Sequence, residues 1–151
     1  MAYYKIDSGG NSTPEEPKGQ LVPQETKGTV AAFTVRVEDA GKTFALIASQ
    51  GAAITLPAVV NGFKVRFAVG RAFATASWVI TIPTAVGYGG SIVNSVLVPA
   101  SANNTITLVA GSATIGDYID FEVSPAAVAG GYMYSISGNF AQAGAATFTT
   151  G

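Results

Sequence analysis

The chain has 151 residues, 48% of them hydrophobic and 11% charged, with a formal net charge of −1; an ordinary soluble domain carries roughly 25% charged residues. A chain this close to neutral has no long-range field to steer nucleic acid, and no aromatic or glycine-rich phosphate motif replaces one, so no nucleic-acid partner is expected. Cysteine and histidine are both absent, which removes thiolate and imidazole nucleophiles, histidine general bases, serine–histidine triads, zinc centres and disulfides together.

The length suits one domain with a core of its own. So little charge implies small strands rich in Thr, Ser and Ala, together with a surface covered in part by partner subunits. Residues 1–28 contain Pro14, Pro17 and Pro23 and no periodic apolar pattern. Such a segment buries too little surface to fold alone and reads as an extended N-terminal arm, ordered where it lies on another surface. Its apolar anchors are Tyr3, Tyr4 and Ile6. The opening residues show no basic stretch leading into an apolar run, so no signal peptide is expected. Residues 72–116 are free of charge, yet Gly, Pro, Ser, Thr and Asn break them every few positions. No run reaches the ~18 apolar residues of a membrane span, and no membrane partner is expected.

From Thr29 a β domain over 29–151 is predicted, because the pattern turns to period two. Phe33, Val35 and Val37 alternate with Thr34, Arg36 and Glu38; Phe63, Val65, Phe67 and Val69 alternate with Lys64, Arg66 and Ala68. That alternation marks half-buried strands. Strands are predicted near 29–38, 43–48, 53–56, 63–69, 78–82, 92–98, 105–110, 117–124 and 132–137. Turn residues separate them: Asp39-Ala40-Gly41, Asn61-Gly62, Gly87 to Gly90, Asn103-Asn104, Gly116-Asp117 and Gly130-Gly131. Asn-Gly and Gly-Gly supply the positive φ of tight hairpins. The expected fold is all-β, an antiparallel sandwich of jelly-roll type or a small barrel of about eight or nine strands. Over 77–83 and again over 94–100 the pattern is apolar on both faces, which fits strands covered on both sides and a homo-oligomer.

Asp117, Asp120 and Glu122 are the only charged side chains after Arg71. If Ile119, Phe121 and Val123 face the core, Asp120 and Glu122 share the opposite, solvated face. Asp117 follows Gly116 at the strand start, where an Asp side chain bonds nearby backbone N–H groups. A glycosidase needs two carboxyls across a cleft, and calcium needs six to eight oxygens. Neither pattern is present, so no catalytic, metal-binding or cofactor-binding residue is assigned. Asp120 and Glu122 are expected in inter-strand or inter-subunit ion pairs. Arg36, Lys64 and Arg66 point outward on their strands and form a candidate docking face.

The order of motifs has a familiar look. "DAGKTFAL" at 39–46 precedes "AAITLPAVVNGFKVRF" at 52–67 and "WVITIP" at 78–83, and "GDYIDFEV" at 116–123 precedes "GGYMYSISG" at 130–138. This succession resembles β-rich surface modules of tailed-bacteriophage virions: capsid decoration (cement) proteins, head fibres and tail-fibre domains. It departs from them in carrying Tyr132-Met133-Tyr134 where Trp is frequent. The resemblance implies a non-enzymatic virion structural protein, commonly trimeric, bound to the major capsid protein on the capsid surface after synthesis in the host cytoplasm. It implies equally, as the alternative, a receptor-binding module of a head or tail fibre that recognises host surface glycan through loops such as 84–91 and 99–104.

Overall fold

The computed structural model describes residues 3–6, 12–15, 26–29, 31–83, 92–93, 104–125 and 132–149. The strands are β1 (Tyr3–Ile6), β2 (Ser12–Glu15), β3 (Thr26–Thr29), β4 (Phe33–Thr34), β5 (Thr43–Leu46), β6 (Ala53–Thr55), β7 (Lys64–Val69), β8 (Trp78–Thr81), β9 (Ile92–Val93), β10 (Thr105–Leu108), β11 (Tyr118–Pro125), β12 (Tyr132–Asn139) and β13 (Ala146–Thr149). Strands β1 and β2 pair antiparallel, Tyr3 with Glu15 through Ile6 with Ser12. The others form a five-stranded sheet in the order β13-β10-β8-β6-β4 and a six-stranded sheet in the order β3-β5-β7-β11-β12-β9. Neither sheet closes on itself among the described residues, and buried faces from both meet in one core. The fold is an all-β sandwich. Among the described residues no helix is long and apolar enough to cross a membrane.

Period-two patterning explains the two layers. In β7, Val65, Phe67 and Val69 are buried while Lys64 and Arg66 are exposed. In β11, Ile119, Phe121 and Val123 are buried, with Asp120 and Glu122 on the other side. The five-stranded sheet carries an unbroken inner row by register: Phe148, Ile106, Ile80, Ile54 and Phe33. Rings run through the core in sequence. Phe33 lies 5.0 Å from Phe44, Phe44 5.6 Å from Phe67, Phe67 5.8 Å from Phe121 and Phe121 6.3 Å from Tyr134. The first of these contacts joins the two sheets, and the spacings are those at which ring pairs stabilise beyond their buried area. The Tyr134 hydroxyl donates to the Pro57 carbonyl at 2.8 Å, tying β12 to the segment that follows β6.

The pairing sense differs from the antiparallel expectation. From β3 to β8 successive strands alternate between the sheets, so β3, β5 and β7 are parallel in one layer and β4, β6 and β8 in the other. A chain that crosses the ~10 Å between layers and crosses back re-enters its first sheet running in its original direction. Antiparallel pairing holds for β7 with β11, β11 with β12, β8 with β10 and β10 with β13. The sheets are therefore mixed.

The single strand expected over 29–38 is broken for the same reason. Pairing on the six-stranded sheet runs through Thr26–Thr29, and the chain then crosses to place Phe33–Thr34 on the other sheet. Val35 is buried, but Val37 lies 45% exposed in a 3₁₀ turn over Val37–Asp39 instead of facing the core. Asp39 causes the turn: its Oδ2 accepts the Arg36 N–H at 2.9 Å, an alternative to strand pairing that Asp side chains offer readily. Of the strand expected over 92–98, β9 covers Ile92–Val93; 94–98 lie outside the described residues, as do loops 84–91 and 99–103 and the side chains of Tyr3, Tyr4 and Ile6.

Two glycines are required by close approach. A Cβ on Gly51 would stand 2.4 Å from the Ser77 carbonyl oxygen and 2.5 Å from that of Ala76, and its φ is +66°. On Gly138, next to the last residue of β12, a Cβ would meet the Tyr118 carbonyl oxygen at 2.7 Å.

Candidate functional site

The described charged side chains of the sheets gather on one surface, the outer face of the six-stranded sheet. Register lays them out in rows. Thr43, Arg66, Asp120 and Ser137 form one row across β5, β7, β11 and β12, and Lys64, Glu122 and Ser135 form the next across β7, β11 and β12. Each residue is there because it occupies the outward parity of a strand whose other parity is apolar.

Arg66 is held by one carboxylate and one ring. Its Nε and Nη2 donate to the two oxygens of Asp120, each at 2.7 Å, and its guanidinium lies 4.2 Å from the centre of the Tyr118 ring. The bidentate bond to Asp120 raises the Arg66 pKa, with the carboxylate's charge adding to it against the opposing effect of burial. Planar fork and carboxylate match in geometry, as a lysine at this position would not. The inter-strand pair expected for Asp120 is this one.

Beside it, Lys64 and Glu122 stand opposite each other in register. Both are exposed, and among the described residues no ion pair joins them. Together with Gly41, Lys42, Arg66, Asp120 and Ser137 they line a shallow, half-open depression of about 200 Å³. At its edge the Lys42 ammonium donates to Asp39 at 2.9 Å. Arg36, expected to share this face, sits on the turn before Val37 and does not line the depression; its backbone N–H is the group that Asp39 holds.

Asp117 is separate from the other two acids. It is 4% exposed, and its oxygens accept the backbone N–H groups of Thr114 at 2.7 Å and Ala141 at 2.9 Å. The expected turn Asp is found, and the Ala141 contact extends its reach across the sheet to the end of β12. Sequence alone pointed to the local bond and missed the distant one, because nothing in the spacing of 117 and 141 signals their approach.

A second hollow, about 320 Å³, is lined by Ile47, Ala48, Ser49, Gln50, Gly51 and Arg71. It brings one cation together with no acid. Among the described residues no group of three or more metal-ligating side chains converges. The indole N–H of Trp78 is buried in the core without a hydrogen-bond partner among the described residues. The outer face of the six-stranded sheet offers donors and acceptors of both signs, and its acid Asp120 is spent on Arg66. Comparison with protein-family models, with curated proteins and with solved structures gives no match.

Proposed function

We propose that this chain is a non-enzymatic structural protein of a tailed-bacteriophage virion, a decoration protein that binds the capsid surface as a trimer and stabilises the shell. The motif succession from 39 to 138 supports the virion reading. The observation that carries the binding role is the outer face of the five-stranded sheet. Thr34, Thr55, Thr81, Thr105 and Thr149 form one row across all five strands, and Ala53, Val79, Thr107 and Thr147 form the next, without a charge in either. Small uncharged side chains on a regular sheet suit contact with protein, since covering them desolvates no ion. In this reading the N-terminal segment bridges neighbouring capsid subunits and adds buried area that opposes rupture.

The test is binding of the full chain to empty capsids, by co-sedimentation, beside a form lacking residues 1–15. That deletion leaves β3 on its sheet. Loss of capsid association with an intact fold is the expected result; undiminished association overturns the bridging role. Light scattering on the purified chain checks the trimer.

The alternative, a fibre module that recognises host glycan, draws support from one feature, the polar depression on the other sheet. It places hydrogen-bonding groups of both kinds on a rigid strand scaffold.

A further inference from the structure

We propose that the depression between β7, β11 and β12 is a binding site for a neutral saccharide, gripped through a vicinal diol by Lys64 and Glu122. This inference rests on the glycan-recognition reading and gives it a site and a ligand class.

Charge balance selects the class. Around the depression stand Lys42, Lys64 and Arg66, and against them Asp39, Asp120 and Glu122. Among the described residues these three cations and three anions balance, so neither a phosphate nor a metal cation is favoured over the other. Four of the six charges are already committed: Lys42 to Asp39 and Arg66 to Asp120. The remaining two, Lys64 and Glu122, are adjacent in register and form no ion pair with each other.

Adjacent hydroxyls of a sugar each offer one donor and accept through their lone pairs. An ammonium that only donates and a carboxylate that only accepts are the complementary pair. Cross-strand neighbours hold their Cβ atoms ~4.5–5.5 Å apart, close enough for both heads to reach one diol. Ser137, in the row of Asp120, adds a hydroxyl that can donate or accept.

The scaffold is pre-organised. Arg66 is paired with Asp120 and stacked on Tyr118, so the wall beside the diol site needs less ordering on binding. At Gly41, which lines the rim, no side chain closes the entrance.

The test uses the full chain and amide proton–nitrogen correlation NMR, titrated with maltotriose, cellotriose and N,N′,N″-triacetylchitotriose at millimolar concentration. Phosphate and sialyllactose serve as charged probes. At least one neutral trisaccharide is expected to move the amides of Gly41, Lys64, Glu122 and Ser137. Glu122→Gln and Lys64→Met are each expected to weaken that binding about tenfold or more, as for loss of a hydrogen bond to a charged group, with the melting temperature unchanged. A saccharide that binds equally well to both variants overturns this site while leaving glycan recognition standing. Binding of sialyllactose or phosphate alone overturns the neutral class. No binding of any saccharide overturns both.

Discussion

Replacing Asp117 by Ala removes one carboxylate and orphans two backbone donors. Hydrogen bonds to a charged group contribute ~1.5–3 kcal/mol each, and an unsatisfied buried donor costs its own desolvation in addition. The two donors are not equivalent. Ala141 is exposed, so water can replace the lost acceptor there, whereas Thr114 is half-buried and recovers less. One bond lost nearly in full and one in part give a destabilisation of about 2–4 kcal/mol. The turn itself should persist. Gly116 N–H still donates to the Val69 carbonyl at 2.9 Å, Val69 N–H to the Asp117 carbonyl at 2.8 Å and Asp117 N–H to the Thr114 carbonyl at 3.0 Å.

The loss is smaller than the ~8–20 kcal/mol expected for a domain of this size, so the variant folds and its stability can be measured. Guanidinium unfolding should show a lower midpoint with an unchanged slope, the signature of lost stability with the same surface exposed. Asp117→Asn should fall between parent and Ala variant, because its amide oxygen serves one donor while its NH₂ faces the other. Glu122→Ala, on the exposed face, should stay within ~0.5 kcal/mol of the parent. An Asp117→Ala loss below ~0.5 kcal/mol would refute the clamp, since even the half-buried Thr114 donor would then be losing nothing with its acceptor.

The Arg66–Asp120 pair should contribute under ~1 kcal/mol in a double-mutant cycle despite its geometry, because Arg66 is 46% exposed, and the coupling should shrink further in high salt. Burial pushes the Tyr134 hydroxyl from 10.0 up to about 12. Between these values the unfolded chain has released the proton and the folded chain keeps it, so stability is full below pH 10 and falls as pH rises towards 12. Tyr134→Phe should flatten that part of the stability–pH curve and cost ~1 kcal/mol at neutral pH by stranding the Pro57 carbonyl; an unchanged alkaline slope would show that other groups control it. Gly51→Ala combines positive φ with overlap of two backbone oxygens. It should cost ~3 kcal/mol or more by thermal unfolding, and a neutral effect would mean that the approach of this turn to Ala76 and Ser77 is not tight.

Which residues face the core was legible wherever strands are regular. Period two placed Val65, Phe67, Ile119, Phe121, Trp78 and Ile80 inside, and their near-zero exposure agrees. The last hairpin was legible as well, with β11 and β12 in register from Tyr118–Asn139 to Pro125–Tyr132. Pairing sense was not, because alternation records which side of a strand is covered and says nothing about which strand lies beside it. Val37 was misplaced because a local carboxylate bond at Asp39 overrode a pattern that continued on paper. Strand β13 carries Thr147 and Thr149 outward with Ala146 and Phe148 inward, and such a short stretch behind a run of Ala and Gly gave too weak a period to register. In the candidate site, the outward direction of Lys64, Arg66, Asp120 and Glu122 followed from parity. Which cation meets which acid depended on a register that only the fold supplies.

The alternation of β3 to β8 between layers also accounts for the contrast between the two outer faces. Because consecutive strands from β3 to β11 go to different sheets, each sheet samples every second strand of that stretch, and its outer face inherits only those strands' outward residues. Among the described residues, the charged outward positions fall on β7 and β11, both in the six-stranded sheet. Strands β4, β6, β8 and β10 contribute Thr34, Ala53, Thr55, Val79, Thr81, Thr105 and Thr107 to the other. Two surfaces with separate chemistry thus arise from one winding: an uncharged sheet suited to contact with protein, and a polar sheet with fixed donors and acceptors. Placing a charge on the first, for example Thr81→Glu at the centre of its threonine row, should abolish assembly or capsid association while leaving saccharide binding at Lys64 and Glu122 intact. Loss of both together would show that the faces do not act independently, and that the division of labour drawn from the topology is wrong.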